Sequence, residues 1–144
     1  MKNRPAAPPI GLSAALLGCL LFVTACSATP TQTARTPEAS RDLAKALAGY
    51  TKGQPIRCIP NYSSNRMQII DDGTILFRGN RTIYLQTPPG GCFGISNQLN
   101  TLVTRVWGTN RLCQGDINHL VDVNTGIGGG ACVFGPFTPY TKPN

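Results

Sequence analysis

The sequence predicts a mainly β domain: a small antiparallel barrel or sandwich with one N-terminal helix and two disulfides. Three observations carry that prediction. Short apolar runs recur between Gly, Pro, Asn and Asp punctuation from residue 54 to residue 139. A single stretch, 37–48, has helical start and stop signals. Four cysteines, Cys58, Cys92, Cys113 and Cys132, lie inside the β-rich part, an even number suited to two bridges in an exported chain.

The chain opens with a leader. Lys2 and Arg4 form a charged start and Ile10 to Val23 an apolar run, too short for a membrane span. Leu21 to Ala25 followed by Cys26 resembles a bacterial lipobox, so residues 1–25 read as a lipoprotein signal and Cys26 as the lipidated residue. Leu16-Leu17-Gly18-Cys19 also fits, but cutting there leaves five other cysteines and one unpaired, whereas cutting before Cys26 leaves four. Ordinary cleavage after Ala25 would leave Cys26 as a free thiol, a liability in an oxidising compartment. Residues 26–36 form a Thr/Ala/Pro tether, and 37–144 a single small domain. With Ser27 rather than Asp after the cysteine, the chain resembles proteins sorted to the outer membrane, facing the periplasm.

The helix has Thr36 as N-cap, Pro37 at its first position, Glu38 near its positive end and Gly49 as its stop. Ala39, Leu43 and Leu47 share a face that can dock on the domain. Pro55 to Ile59 is a short strand, Met67 to Ile70 another, and Asp71-Asp72-Gly73 a turn. Thr74 to Arg78 and Arg81 to Gln86 form a hairpin across Gly79-Asn80. Pro88 to Gly91 forces a loop before Cys92, and Ser96 to Asn100 reads as a turn. Leu102 to Trp107, Arg111 to Asn118, which Leu120 to Val123 extends or follows, and Ala131 to Phe137 are the remaining apolar runs, with Asn124 to Gly130 a glycine loop, and the domain is expected to hold about five or six strands. Of the three disulfide pairings, the nested one, Cys58 with Cys132 and Cys92 with Cys113, would tie first strand to last and close a hairpin. The sequential pairing stands close behind, and spacing alone does not choose.

Several pieces together resemble a family of small exported bacterial proteins grouped as a domain of unknown function. They are Gly49, Gly53, Pro55, Cys58, Ile59 and Pro60; Ile70-Asp71-Asp72 with Thr74, Ile75 and Phe77; Tyr84-Leu85 leading to Cys92; Leu112-Cys113 with Gly115-Asp116; and Cys132 with Gly135, Phe137 and Pro139. The cysteine frame is the most specific part. The resemblance implies no activity or ligand, and carries over no catalytic residue.

Charge and chemistry narrow the function classes. The mature part holds eleven Lys or Arg against six Asp or Glu, scattered without a run, which is no nucleic-acid footprint. A mildly basic surface suits an envelope protein or an anionic envelope polymer as partner, beside the membrane reached through the lipid anchor. Asp116 and His119 are the best enzymatic pair, yet a spacing of three on a strand points them to opposite faces, and neither an activated nucleophile nor an oxyanion site accompanies them. Asp71 and Asp72 likewise point apart. The four cysteines lack a C-x-x-C pair and the chain has one histidine, so neither a metal nor a redox site is expected, and Gly126-x-Gly128 opens no helix that would make it a cofactor loop. The sequence therefore points to a non-enzymatic, lipid-anchored binding or accessory module without cofactor. The alternative is an inhibitor-like module presenting the 124–130 loop to an envelope or foreign hydrolase, and a hydrolase using Asp116 and His119 ranks third.

Overall fold

A computed structural model describes residues 34–61, 66–106, 108 and 110–143. The leader, Cys19, Cys26 and most of the tether, and with them the lipidation expectation, lie outside the described residues, as do Tyr62 and Trp107.

Helix α1 spans Pro37–Leu47, one residue short of the expected end. Its start follows the sequence signals: Thr36 is extended and its Oγ1 accepts a hydrogen bond from the Ala39 amide at 3.1 Å. Gly49, at φ 76°, releases the chain where a side chain would be strained. Ten short strands follow, where five or six were expected: β1 Thr51–Lys52, β2 Cys58–Pro60, β3 Met67–Asp71, β4 Thr74–Arg78, β5 Thr82–Gln86, β6 Asn100–Thr104, β7 Arg111–Cys113, β8 Ile117–Asp122, β9 Gly128–Val133 and β10 Phe137–Thr141. They form three antiparallel sheets, ordered β1-β10-β5-β4-β3, β2-β7 and β6-β8-β9.

Two of the expected strands are broken by specific hydrogen bonds. Between β7 and β8 the chain turns at Gln114 to Asp116, where the Asp116 carboxylate accepts from the Cys113 amide at 2.6 Å and the Asp116 amide donates to the Cys113 carbonyl at 3.1 Å. Between β9 and β10 it kinks at Gly135. There the fully buried Gln86 side chain donates to the Gly135 carbonyl at 2.9 Å and accepts from its amide at 3.1 Å, so one amide group replaces a missing strand partner. A Cβ on Gly135 would sit 3.0 Å from the Thr87 carbonyl oxygen, so any other residue would require that backbone to give way.

The hairpin of β4 and β5 forms as expected, shifted by one residue. Gly79 donates to the Thr82 carbonyl at 2.7 Å, so the two turn residues are Asn80 and Arg81 rather than Gly79 and Asn80. Gly128 to Gly130, expected in a loop, is strand, paired with Val121 and Leu120 of β8. Pro139 sits inside the five-stranded sheet, where proline normally costs a ladder bond. Its carbonyl accepts from Gly53 at 2.8 Å, so its absent N–H faces the same side, where the two-residue β1 has already ended.

Strand alternation divides the five-stranded sheet into two faces. Ile75 and Phe77 point to the main core, which also takes Ile59, Ile95, Leu112, Leu120, Phe134 and Phe137 from the smaller sheets and connecting segments. Phe77, Phe134 and Phe137 meet edge to face with centroids 5.5 to 5.9 Å apart. Leu76 and Ile83 point the other way and are equally buried, and α1 packs against β3 at the edge of this sheet.

 The buried residue of the helix is Ala39. The molecule is thus a layered β structure, with the helix over one face of the large sheet and the two small sheets over the other.

The disulfides are Cys58–Cys113 and Cys92–Cys132, which corrects the expected nested pairing and excludes the sequential one as well. The reason is register. β2 pairs with β7 so that Cys58 stands opposite Cys113, and that contact leaves Cys113 no access to Cys92. The loop after Pro88 folds back over the β3–β4 turn, where the Cys92 amide donates to the Asp72 carbonyl at 2.6 Å and its sulfur meets Cys132 of β9.

Candidate binding surfaces

Most of the exposed large apolar side chains among the described residues lie on the outer face of the three-stranded sheet and the segments joined to it. Along β8, Asn118 and Leu120 are buried while Ile117 and His119 are exposed. Register then places Val103 and Ala131 beside His119, and Val133 beside Ile117, all on that same outer face. Val103, Ile117 and Val133 are 44%, 55% and 41% exposed. On the inner face Asn118 is fully buried but satisfied: its amide donates to the Asp116 carbonyl at 3.1 Å and its oxygen accepts from the Thr104 hydroxyl.

The loop joining β8 to β9 extends the apolar surface. Asp122 organises it, one carboxylate oxygen accepting from the Asn124 and Thr125 amides, both at 2.9 Å, and from the Thr125 hydroxyl at 3.1 Å. The Thr125 and Asn124 amides hold this carboxyl below its ordinary value of 3.8 against a weaker opposing effect of desolvation, and the Thr125 hydroxyl adds the smallest share. The Val123 amide donates to the Leu99 carbonyl at 2.7 Å and the Asp122 amide to the Ile127 carbonyl at 3.0 Å. Polar groups are thereby turned inward, and Leu99, Val123 and Ile127 are left exposed.

A second feature is a cleft of about 730 Å³ where the tether meets the domain. Arg35, Asp71, Thr74, Thr87, Pro89 and Phe93 line it. Arg35 Nε is 2.7 Å from the Asp71 carboxylate, and a second guanidinium nitrogen donates to the Thr74 hydroxyl. The other Asp71 oxygen accepts from the Gly73 amide at 2.8 Å. Asp72 accepts from the Gly94 amide at 3.1 Å and the Ser96 amide at 2.9 Å. Desolvation pushes its carboxyl up, but the Ser96 side chain with the Ser96 and Gly94 amides outweighs it and holds the group below 3.8. Phe93 is 70% exposed at the rim.

The candidate catalytic residues do not come together. The Asp116 carboxylate is taken up by the Cys113 amide, while His119 stands on the exposed face of β8, and no hydrogen bond or ion pair joins them among the described residues. Asp71 and Asp72 hold separate partners. No group of three or more His, Cys, Asp or Glu side chains suited to a metal occurs among the described residues. Sequence reasoning missed the Arg35 contact and the place of Phe93 at the cleft rim, because each depends on chain segments distant in sequence. The 124–130 loop was found, through its turn residues, though its last three residues belong to a strand.

No protein-family model, curated protein or solved structure matches the chain.

Proposed function

We propose that the protein is a lipid-anchored, non-enzymatic binding module of the cell envelope, acylated at Cys26 and held at the outer membrane facing the periplasm, which docks a net-acidic envelope protein through the outer face of its three-stranded sheet. One observation carries the docking surface. Eight large apolar side chains are exposed among the described residues, and six of them, Leu99, Val103, Ile117, Val123, Ile127 and Val133, belong to that sheet, its loop or the residue leading into it. Exposed apolar side chains gathered in one region, unlike scattered ones, call for a covering surface. The acidic character of the partner follows from the excess of basic residues in the mature chain. The anchor is supported by cysteine use: Cys58, Cys92, Cys113 and Cys132 are all consumed in bridges, which leaves Cys26 outside the disulfide set of the mature chain.

The test is cross-linking in intact cells, comparing the native chain with Ile117→Glu/Val133→Glu and with Arg41→Glu on the exposed side of α1. A specific adduct that disappears in the sheet variant and persists in the helix variant is expected. An adduct pattern indifferent to the sheet substitutions sinks the docking surface, and an unacylated Cys26 in the intact mass sinks the anchor.

The inhibitor-like reading has its own observation. The 122–127 loop is fastened by Asp122 and displays Val123 and Ile127 outward, a prefolded projection that could enter an enzyme cleft without ordering cost. Inhibition of a muramidase or protease by the soluble domain, abolished by Val123→Asp/Ile127→Asp, would favour it.

A further inference from the structure

We infer that Phe93 and the Pro88 to Gly91 loop beside it make a second, apolar contact with the lipid surface to which the tether is anchored. The inference rests on acylation at Cys26 and adds an orientation to it. Eight residues separate Cys26 from Arg35, so even a fully extended leash holds Arg35 within about 30 Å of the bilayer surface. Arg35 is itself fixed to the domain by Asp71 and Thr74, so the leash ends at a defined point rather than swinging from the helix. Ala34, Arg35, Pro89, Gly90 and Phe93 line one cleft, which puts the loop at the place where the tether arrives.

The chemistry of this end suits lipid. Phe93 is the most exposed large apolar side chain among the described residues, at 70%, and it sits on a loop closed by the Gly91 amide donating to the Pro88 carbonyl at 2.9 Å. Such a ring gains by entering the boundary between headgroups and acyl chains. The nearby carboxylates do not oppose this, since Asp71 is paired with Arg35 and Asp72 is occupied by backbone amides. The guanidinium of Arg35 is taken up by Asp71, and Arg66, Arg78, Arg81 and Lys142 adjoin the opposite ends of the β3, β4, β5 and β10 strands, one strand length of roughly 14 Å away. Contact through Phe93 therefore turns those four basic residues away from the membrane, and as an apolar contact with zwitterionic lipid it should be insensitive to salt.

The experiment uses the full-length lipoprotein in vesicles of zwitterionic phospholipid, with p-benzoylphenylalanine replacing either Phe93 or, as a control at the far end, Lys142. After irradiation, intact mass reports both the acyl chains on Cys26 and any lipid cross-link. A lipid adduct at position 93, absent at position 142 and unchanged in molar salt, is expected. Acylated protein without an adduct at 93, with equal adducts at both positions, or with an adduct lost in salt overturns the inference while leaving the anchor intact. Protein that carries no acyl chains overturns both.

Discussion

The five-stranded sheet is covered on both faces, by α1 on one side and by the aromatic core on the other, whereas the three-stranded sheet is covered on its inner face alone. In the first, Ile75, Leu76, Phe77 and Ile83 are at most 1% exposed although consecutive residues point in opposite directions. In the second, every apolar side chain on the outer face is at least partly open, and β9 begins with Gly128, Gly129 and Gly130, which have nothing to bury. Apolar burial concentrates in the large sheet, while the small sheet spends its apolar residues on display. The difference is one of burial: the first region gains the stabilisation of covered apolar surface, and the second leaves apolar surface uncovered.

If that division holds, the small sheet depends on ties to the large one, and cutting a tie should harm it more. The largest expected effect comes from Cys92→Ala with Cys132→Ala, because this bridge links β9 to the loop that folds over the β3–β4 turn. Removing it is expected to lower stability by about 2 to 4 kcal/mol, measured by denaturant unfolding. Hydrogen exchange should rise first in β6, β8 and β9 and last in β4 and β5. Simultaneous loss of protection across both sheets would show that they form a single cooperative unit and remove the distinction.

The second tie is Gln86, whose side chain holds the Gly135 kink between β9 and β10. Gln86→Leu keeps much of the volume but leaves the buried Gly135 amide and carbonyl without partners. A loss of about 1 to 3 kcal/mol in thermal or denaturant unfolding is expected. An effect near zero would mean that water or a shifted backbone satisfies these groups.

How much of this was legible in the sequence depends on how local each cause is. The helix start was legible because Thr36, Pro37 and Glu38 act on the turn that contains them. The β4–β5 hairpin was legible because Ile75, Phe77, Ile83 and Leu85 alternate, although the turn fell one residue later than the glycine suggested. The first half of β9 was not legible, since its three glycines carry no pattern and owe their conformation to pairing with β8. The disulfide pairing, the Gln86 clamp and the Arg35 contact all join residues between 36 and 55 positions apart, and no spacing rule reaches that far. The apolar outer face was hidden for a related reason: Val103, Ile117 and Val133 look like core residues until register shows which side they occupy.

The smallest expected effect, and the most local, concerns acid. Asp72 fastens the 94–96 segment near the large sheet, and Asp122 fastens the 123–125 loop on the small one; both carboxyls are held below 3.8 in the folded chain. A folded-state value below the unfolded one means that the folded chain favours the ionised form. The stabilising contribution is therefore complete above the ordinary carboxylate range and is lost as pH falls below 3.8 towards each depressed value. Amide resonances of Gly94, Ser96, Asn124 and Thr125 followed by NMR should shift together with their carboxylates over that acid window, while those of β4 and β5 stay in place. The two loops should then part company. The segment around Asp72 is also held by the Cys92 bridge and by the Cys92 amide on the Asp72 carbonyl, so protonation should leave it ordered. The Asp122 loop has only backbone bonds and the long 3.3 Å bond from the Ile127 amide to the Thr125 hydroxyl to fall back on, so its exchange protection should drop first. Asp122→Ala at neutral pH should reproduce that drop, and an unchanged loop in this variant would show that the pairing of β8 with β9, rather than the carboxylate, shapes the projection.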